Sequence, residues 1–400
     1  MSCKKFTCVR EGLKIGGIII YPKKFKKSSK YPLVIVSHGF MGNYLGTKKY
    51  AQKFAEMGYV SIAYDFNGGS VKNKSQGKTT DMSVLTEKKD LKAVIDAACN
   101  LSFIDQDNIN LVGCSQGGFV SALVAKDLQE KIKNLILFYP ALCIPDDARR
   151  GKMILAEFDP ENVPETIMCG EMKLGRQFVT DVNKMNVYDE IKDYKGRVLL
   201  IHGTADDLVK PEYSENAYKA YLTSHGNTPS KDLQLVMIDG GNHGFWGPEA
   251  TNWDKYAFFA IKKFLEEKEQ IINVDVVLTD YEEKLEGKKK TAKLFFKGHA
   301  QSPYFTGDVE TPAFDQQIHL GKITQSCCAD YTVKGKDFTG QECYIKIKNQ
   351  MFGTGKKLDW NVDWKPTVST DSSALSKLNT QNCETYAEMR KQGPMIHIWR

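Results

Sequence analysis

A serine, an aspartate and a histidine stand in this 400-residue chain at places where together they could perform nucleophilic catalysis. Ser115 lies in Gly113-Cys114-Ser115-Gln116-Gly117-Gly118, after an apolar run with strand character (Ile109, Leu111, Val112) and before a helical stretch over 119–128. Strand, turn and helix around Gly-x-Ser-x-Gly is the context in which that motif presents a serine hydroxyl on a strained turn. A hydroxyl is a weak nucleophile, so it needs a base to take its proton and a carboxylate to hold that base in one tautomer. The base candidate is His243, in the glycine loop Gly240-Gly241-Asn242-His243-Gly244 that follows the apolar run 233–238. The acid candidate is Asp206, three residues beyond Gly203 and just past the run 198–201; its neighbour Asp207 is the competitor. A tetrahedral oxyanion also needs amide donors. Gln116, opening the helix, is one, and Phe40 in His38-Gly39-Phe40-Met41-Gly42 is the other, with Gly39 allowing close approach. His38 reads as a structural loop residue rather than a second base, and Cys114 as a packing side chain.

These residues require a scaffold that brings distant strand ends together. Short apolar runs at 31–36, 59–64, 109–112, 134–138, 198–201 and 233–238 read as buried parallel strands. Helical spacing at 47–57, 83–101, 119–128, 211–222 and 253–268 separates them, and residues 1–22 read as two further strands. Strands alternating with helices imply a mostly parallel α/β sheet with its site at the carboxyl ends of the strands. The order Ser, Asp, His, each after a strand, is the order of the α/β-hydrolase fold. Residues 141–194 break the alternation, carry Pro145, Pro160 and Pro164 and show no clear strand; an insertion of this size reads as a cap over the site. Beyond about residue 270 the pattern becomes β-like. Cys343, Ile345 and Ile347 share one face, and turns are expected at 334–337, 353–355 and 392–394. The expected organisation is an α/β domain over 1–270 and a small antiparallel β barrel or sandwich over 271–400.

Composition narrows the classes. The 42% hydrophobic and 26% charged residues are those of a globular protein, and no apolar run reaches the 18 or so residues of a membrane span, so no membrane role is expected. The net charge of +6 is small for this length. The lysine clusters at 23–27 and 288–290 lack aromatic or glycine interleaving, so they read as solvated turns and not as a nucleic-acid surface. Ten cysteines without C-x-x-C pairing suggest reduced thiols, no metal site and, with no evident signal segment, a cytoplasmic protein. The adjacent Cys327-Cys328 reads as a strand coincidence.

Residues 10–268 resemble an α/β-hydrolase of the cinnamoyl (feruloyl) esterase group of gut and rumen bacteria. The resemblance rests on His38-Gly39-Phe40, Asp65-Phe66-Asn67-Gly68, Gly113-Cys114-Ser115-Gln116-Gly117-Gly118 and, inside the insertion, Phe158-Asp159-Pro160-Glu161-Asn162-Val163-Pro164. It implies a carboxylic-ester hydrolase acting on a small-molecule ester without a cofactor. Ser115 would be the nucleophile, His243 the base and Asp206 the orienting acid, with a cap lining an acyl pocket for an aromatic acid. Two cap residues become candidate substrate contacts. Phe178 stands where the family has a tyrosine that reads the phenolic hydroxyl, and Asp147 aligns with an acid that also contacts the ring hydroxyl.

Two other functions use the same residues differently. A thioesterase or acyltransferase would keep the triad and need a basic mouth for a CoA group, for which Arg149 and Arg150 are the candidates. A non-catalytic binding protein would need neither Ser115 nor His243. The C-terminal stretch Gly335-Lys336-Asp337-Phe338-Thr339-Gly340 resembles a family of small β-barrel domains and carries no function over. The aromatics there (Tyr304, Phe305, Trp360, Trp364) read as barrel core or a homo-oligomer interface ahead of a ligand platform.

Overall fold

The continuous apolar runs become the middle of an eight-stranded sheet. The computed structural model describes residues 1–353, 358–379 and 382–400. Its first strands are β1 (Ser2–Arg10), β2 (Leu13–Tyr21), β3 (Tyr31–Ser37), β4 (Val60–Tyr64), β5 (Ile104–Cys114) and β6 (Ile132–Phe138). Helices α1 (Tyr44–Glu56), α2 (Val84–Cys99) and α3 (Gln116–Asp127) connect them. After an insertion, β11 (Arg197–Gly203), α7 (Glu212–Ser224), β12 (Leu233–Ile238) and α8 (Ala250–Leu265) resume the alternation. The sheet order is β1-β2-β4-β3-β5-β6-β11-β12. From β4 to β12 every pair is parallel, and β2 alone runs against its neighbours. Side chains such as Leu111, Leu135 and Leu200 are wholly buried, each worth about 1.5–3 kcal/mol of transfer free energy. Because these strands are parallel, the loops after β3, β5, β11 and β12 all emerge at one edge. Local signals fix the helix starts. Asn43 caps α1 through Leu45 N, and Ser83 with Thr86 forms a reciprocal capping box at α2.

The insertion holds more regular structure than expected. It contains α4 (Ile144–Arg150) and two small antiparallel hairpins: β7 (Lys152–Met153) with β8 (Ala156–Glu157), and β9 (Thr166–Cys169) with β10 (Met172–Gly175). Short helices α5 (Gln177–Thr180) and α6 (Val187–Ile191) follow. The expectation that it lacks strands is corrected. In the second hairpin Ile167, Cys169, Met172 and Leu174 all turn inward, and Gly170 takes φ +60° at the turn between them. That alternation spans only four residues a side, too short to stand out among the prolines.

The chain divides into two units, Met1–Phe258 and Phe259–Arg400. The second is built on an antiparallel nine-stranded sheet of β13 (Gln270–Glu286), β14 (Lys289–Gln301), β15 (Phe305–Val309), β16 (Ala313–Leu320), β17 (Ile323–Asp337), β18 (Glu342–Phe352), β19 (Lys365–Thr370), β20 (Glu384–Glu388) and β21 (Met395–Trp399). Strands β15 and β16 lie end to end between β14 and β17. Residues 334–337 are the end of β17, not a turn. Gly335 lets β15 approach, since a Cβ there would stand 2.0 Å from Thr306 O. The turn comes next: Asp337 Oδ1 accepts from Thr339 N at 2.9 Å and Gln341 N at 3.2 Å. Of the turn expected at 353–355, Thr354 and Gly355 lie outside the described residues. All ten cysteines are free thiols. No helix among the described residues is long and apolar enough to cross a membrane.

One buried carboxyl gives the first unit a pH signature. Asp90 on α2 accepts from Arg10 Nε and from Asn67 N, both at 2.8 Å. Burial nevertheless pushes its carboxyl from the ordinary 3.8 up to about 6, against the pull of Arg10. Within that window the folded chain holds a proton that the unfolded chain releases, so stability falls as pH rises from about 4 to 6. Asp90→Asn removes this titration. Its melting temperature should gain on wild type across that window and stay parallel above about pH 7; a constant gap at every pH would refute the assignment.

Candidate active site

Ser115 occupies the tight turn between β5 and α3 with φ +53° and ψ −121°. For a residue with a side chain this conformation costs about 1–3 kcal/mol, and the flanking glycines make it reachable. A Cβ on Gly113 would stand 2.3 Å from Gly117 O, and one on Gly117 would stand 2.3 Å from His38 O. Ser115 N donates to Phe138 O at 3.0 Å, and Ser115 O accepts from Ala141 N at 2.9 Å, tying the turn to the end of β6.

His243 Nε2 lies 3.0 Å from Ser115 Oγ, and His243 Nδ1 lies 2.8 Å from Asp206 Oδ2. Asp206, not Asp207, therefore carries the imidazole. Its Oδ1 accepts from Leu208 N at 3.1 Å and Val209 N at 2.9 Å, which fixes the carboxylate plane. Burial alone would raise this carboxyl, but hydrogen bonds from His202, His243 and the Val209 amide outweigh it and hold the group far below the usual carboxylate range. Asp206 is thus an anion, and an acceptor on both oxygens, throughout the neutral range. His202, buried in β11, is a partner that sequence reasoning overlooked. Its Nε2 lies 2.8 Å from Val209 O and 3.1 Å from Asp206 Oδ2, and its Nδ1 lies 2.7 Å from Ser214 Oγ. Tyr139, also overlooked, packs its ring 4.8 Å from the His243 imidazole.

The loop after β3 lies against Ser115. A Cβ on Gly39 would stand 2.9 Å from Ser115 Cβ. Among the described residues neither the Phe40 amide nor the Gln116 amide has a backbone acceptor, so both can receive an oxyanion. His38 has both ring nitrogens engaged by backbone: Nδ1 lies 2.8 Å from Gly39 O, and Nε2 accepts from Phe66 N at 3.1 Å. It braces the loop and has no ring nitrogen left for proton transfer. Cys114 is buried, and its thiol is pushed up to about 12 by burial.

Gln116 is held from behind by Glu87, a wholly buried residue of α2, through Nε2 to Oε2 at 2.8 Å. Burial pushes the Glu87 carboxyl well above the usual range, with the Gln116 bond opposing. In the sequence Glu87 is one polar position on an amphipathic helix and gives no sign of this partner 29 residues on. Glu87→Leu leaves a buried amide donor unpaired, a cost of about 1–3 kcal/mol. By loosening Gln116 it should lower kcat for p-nitrophenyl acetate by about 10–100-fold. Glu87→Gln keeps shape and partner and should stay within a few-fold of wild type; equal losses in the two variants would contradict this role.

Beside Ser115 opens a cavity of about 410 Å³, lined by Phe40, Gln116, Asp147, Arg150 and Phe178 among others. Phe178 is fully buried and meets Phe40 at 5.7 Å with ring planes at 61°. Asp147 pairs with Arg150. Arg149 is spent on structure: it pairs with Asp146 and donates to Asn183 O and Met185 O at 2.9 Å. Of the two candidate cap arginines, only Arg150 reaches the cavity.

Residues 46–269, more than half of the chain, match the prolyl oligopeptidase family, peptidase S9. An uncharacterised protein of Escherichia coli K12, YcjY, is 31% identical over 124 residues, 30% of this chain and 39% of that protein. A probable dipeptidyl peptidase 4 of Aspergillus flavus is 26% identical over 232 residues, 56% of this chain and 28% of that protein. The chain therefore spans well under half the length of the curated relatives it matches. Among solved structures, Est1E from Butyrivibrio proteoclasticus with ferulic acid bound is 28% identical with a TM-score of 0.57, covering 65% of this chain and 99% of that one. A second structure of Est1E is 26% identical with a TM-score of 0.55, covering 66% and 99%.

Proposed function

The chain belongs to the prolyl oligopeptidase family of serine hydrolases, and from that premise we propose that it hydrolyses small carboxylic esters with an aromatic acyl group, of the hydroxycinnamoyl type. Ser115 attacks the ester carbonyl while His243 Nε2 takes its proton, and the Phe40 and Gln116 amides hold the oxyanion. His243 then returns the proton to the leaving alcohol, giving an acyl-enzyme that water cleaves by the same route. The observation that carries this reading is the cavity of about 410 Å³ with Ser115 in its wall. It is mainly apolar, has Phe40 and Phe178 among its lining residues, and carries the charged side chains Asp147, Arg150, Lys152 and Asp207. A flat acyl ring fits the apolar part of this lining, and a ring hydroxyl can donate to the Asp147 carboxylate. Est1E, matched here over 99% of its length, is seen with ferulic acid bound, and that supports an acyl group of this kind.

Phe178 cannot hydrogen-bond a phenol, so phenolic recognition falls to Asp147. The test is a panel of methyl ferulate, methyl cinnamate, p-nitrophenyl acetate, an acyl-CoA thioester and a dipeptidyl p-nitroanilide. Methyl ferulate and methyl cinnamate should both be cleaved, with ferulate preferred by no more than about tenfold, and Asp147→Asn should erase that preference. Turnover of the anilide alone would replace the ester reading with the peptidase reading that the dipeptidyl peptidase relatives favour. Preference for the thioester would assign Arg150 to a CoA group.

A further inference from the structure

Two kinds of apolar side chain line the cavity beside Ser115. Ala141, Cys143, Ile144 and Phe178 are buried, whereas Ile154 and Leu208 line the same cavity and are 45% and 48% exposed. A side chain that does both stands where the cavity meets solvent. The two come from separate elements, Ile154 from the β7–β8 hairpin of the insertion and Leu208 from the turn after β11. The exposed cations of the lining already have partners, Arg150 in Asp147 and Lys152 in Glu157. The two aliphatic side chains instead leave about half their surface to water.

Ile154 is also held in a backbone conformation that its side chain disfavours. Met153 pairs with Ala156, so Ile154 and Leu155 are the whole turn, and Ile154 takes φ +52°. Glycine is the usual residue where such a turn needs a positive φ, and a β-branched residue there is an outlier. The neighbouring hairpin does use glycine: Cys169 pairs with Met172, and Gly170 takes φ +60° at the corresponding place. Avoidable strain of this kind is concentrated where side chains clamp a ligand. Leu208 is fixed by another route. Its amide donates to Asp206 Oδ1 at 3.1 Å, which ties it to the carboxylate that carries His243.

We propose that Ile154 and Leu208 form a subsite for the leaving alcohol, one that favours esters of alkyl alcohols up to butyl over methyl esters. On the ester reading of this site, on which the proposal rests, the tetrahedral intermediate collapses by breaking the bond between the carbonyl carbon and the alkoxy oxygen. That oxygen takes the proton from His243 Nε2, and the acyl group stays on Ser115 Oγ. The acyl group can therefore remain enclosed among the buried lining residues. The alcohol must depart toward solvent, through the opening where Ile154 and Leu208 stand. An alkyl chain there removes apolar surface from water on both partners.

The test is kcat/KM of the full chain for methyl, ethyl, propyl and butyl cinnamate, whose alcohols are nearly equal as leaving groups. It should rise about twofold per methylene, about tenfold from methyl to butyl, since a half-exposed contact gives less than the roughly fourfold of a fully buried methylene. Ile154→Gly should bring butyl to within about threefold of methyl and leave the methyl ester within about twofold of wild type. It should also melt at a higher temperature, because glycine enters φ +52° freely. Ile154→Met keeps an apolar side chain and should keep most of the slope. Leu208→Ala should cost the butyl ester about threefold and the methyl ester nothing. A flat series from an active wild-type enzyme would overturn this subsite and leave the ester reading standing, whereas no hydrolysis of any member would overturn both. Equal losses on methyl and butyl esters in Ile154→Gly would reduce the hairpin to a structural support and overturn the subsite. A slope unchanged in both Ile154→Gly and Leu208→Ala would place the alcohol elsewhere and overturn it too.

Discussion

Replacing Ser115 by alanine should lower kcat on any cleaved ester by about 10⁶-fold, leaving only the catalysis that binding and the oxyanion donors supply without a nucleophile. Labelling by a fluorophosphonate probe should disappear in the same variant. The size of the effect follows from the geometry: Ser115 Oγ is 3.0 Å from His243 Nε2, and no other hydroxyl among the described residues shares that position. Stability should separate two inactive variants. Ser115 holds a left-handed backbone conformation at φ +53°, which glycine enters freely and alanine does not. Ser115→Gly should therefore melt above Ser115→Ala, both being inactive. A Ser115→Ala variant that kept even a hundredth of the wild-type rate would place the nucleophile elsewhere.

The reasons this site could be anticipated are physical and local. Gly113 is demanded by the backbone of Gly117 and Gly118 within the same turn, whereas Gly117 is demanded by His38 O and Ser37 O of the loop after β3, so the motif of six consecutive positions marks the elbow and one of its glycines answers to a distant loop. Asp206 and His243 lie just beyond strands whose apolar runs are continuous because helices cover both faces of a parallel sheet. What stayed hidden depends on partners distant in sequence. Glu87 is an acid on an amphipathic helix until Gln116 is placed over it. His202 sits inside a strand and acquires meaning only when the 206–209 turn folds back on its ring. Tyr139 is one residue past β6, and nothing local marks it as a wall for the imidazole. Phe178 and Asp147 carry no local signal and stand out only through the family resemblance. Their shared place in the cavity arises from packing within the insertion, which the periodicity of α4 and α5 is too short to express. In the second unit the alternation of β18 is legible from Cys343 through Ile347. The next inward residue, Asn349, is the one that departs from the pattern.

Asp206→Asn should lower kcat by about 10⁴-fold at neutral pH while leaving KM within a few-fold. The hydrogen-bond network dictates why so small a change is so costly. Asp206 Oδ1 accepts from two backbone amides, Leu208 N and Val209 N. An asparagine at this position must keep its oxygen there, because its NH₂ would face two donors. The NH₂ then occupies the Oδ2 site, facing both His202 and His243. His202 Nε2 retains Val209 O as an acceptor at 2.8 Å, so it does not force a rearrangement. His243 has no such alternative among the described residues. Its Nδ1 must accept from the new amide, which moves the imidazole proton to Nε2, the nitrogen that faces Ser115 Oγ. A protonated Nε2 cannot take the serine proton, and the imidazolium that forms during the reaction also loses its counter-charge. His202→Asn separates the two effects. It removes one donor to Asp206 yet leaves the carboxylate and its two amides in place, so its loss should be far smaller, about tenfold. The structure would be contradicted if His202→Asn were as damaging as Asp206→Asn, or if Asp207→Asn, whose side chain makes no bond to His243, lowered kcat to a comparable extent.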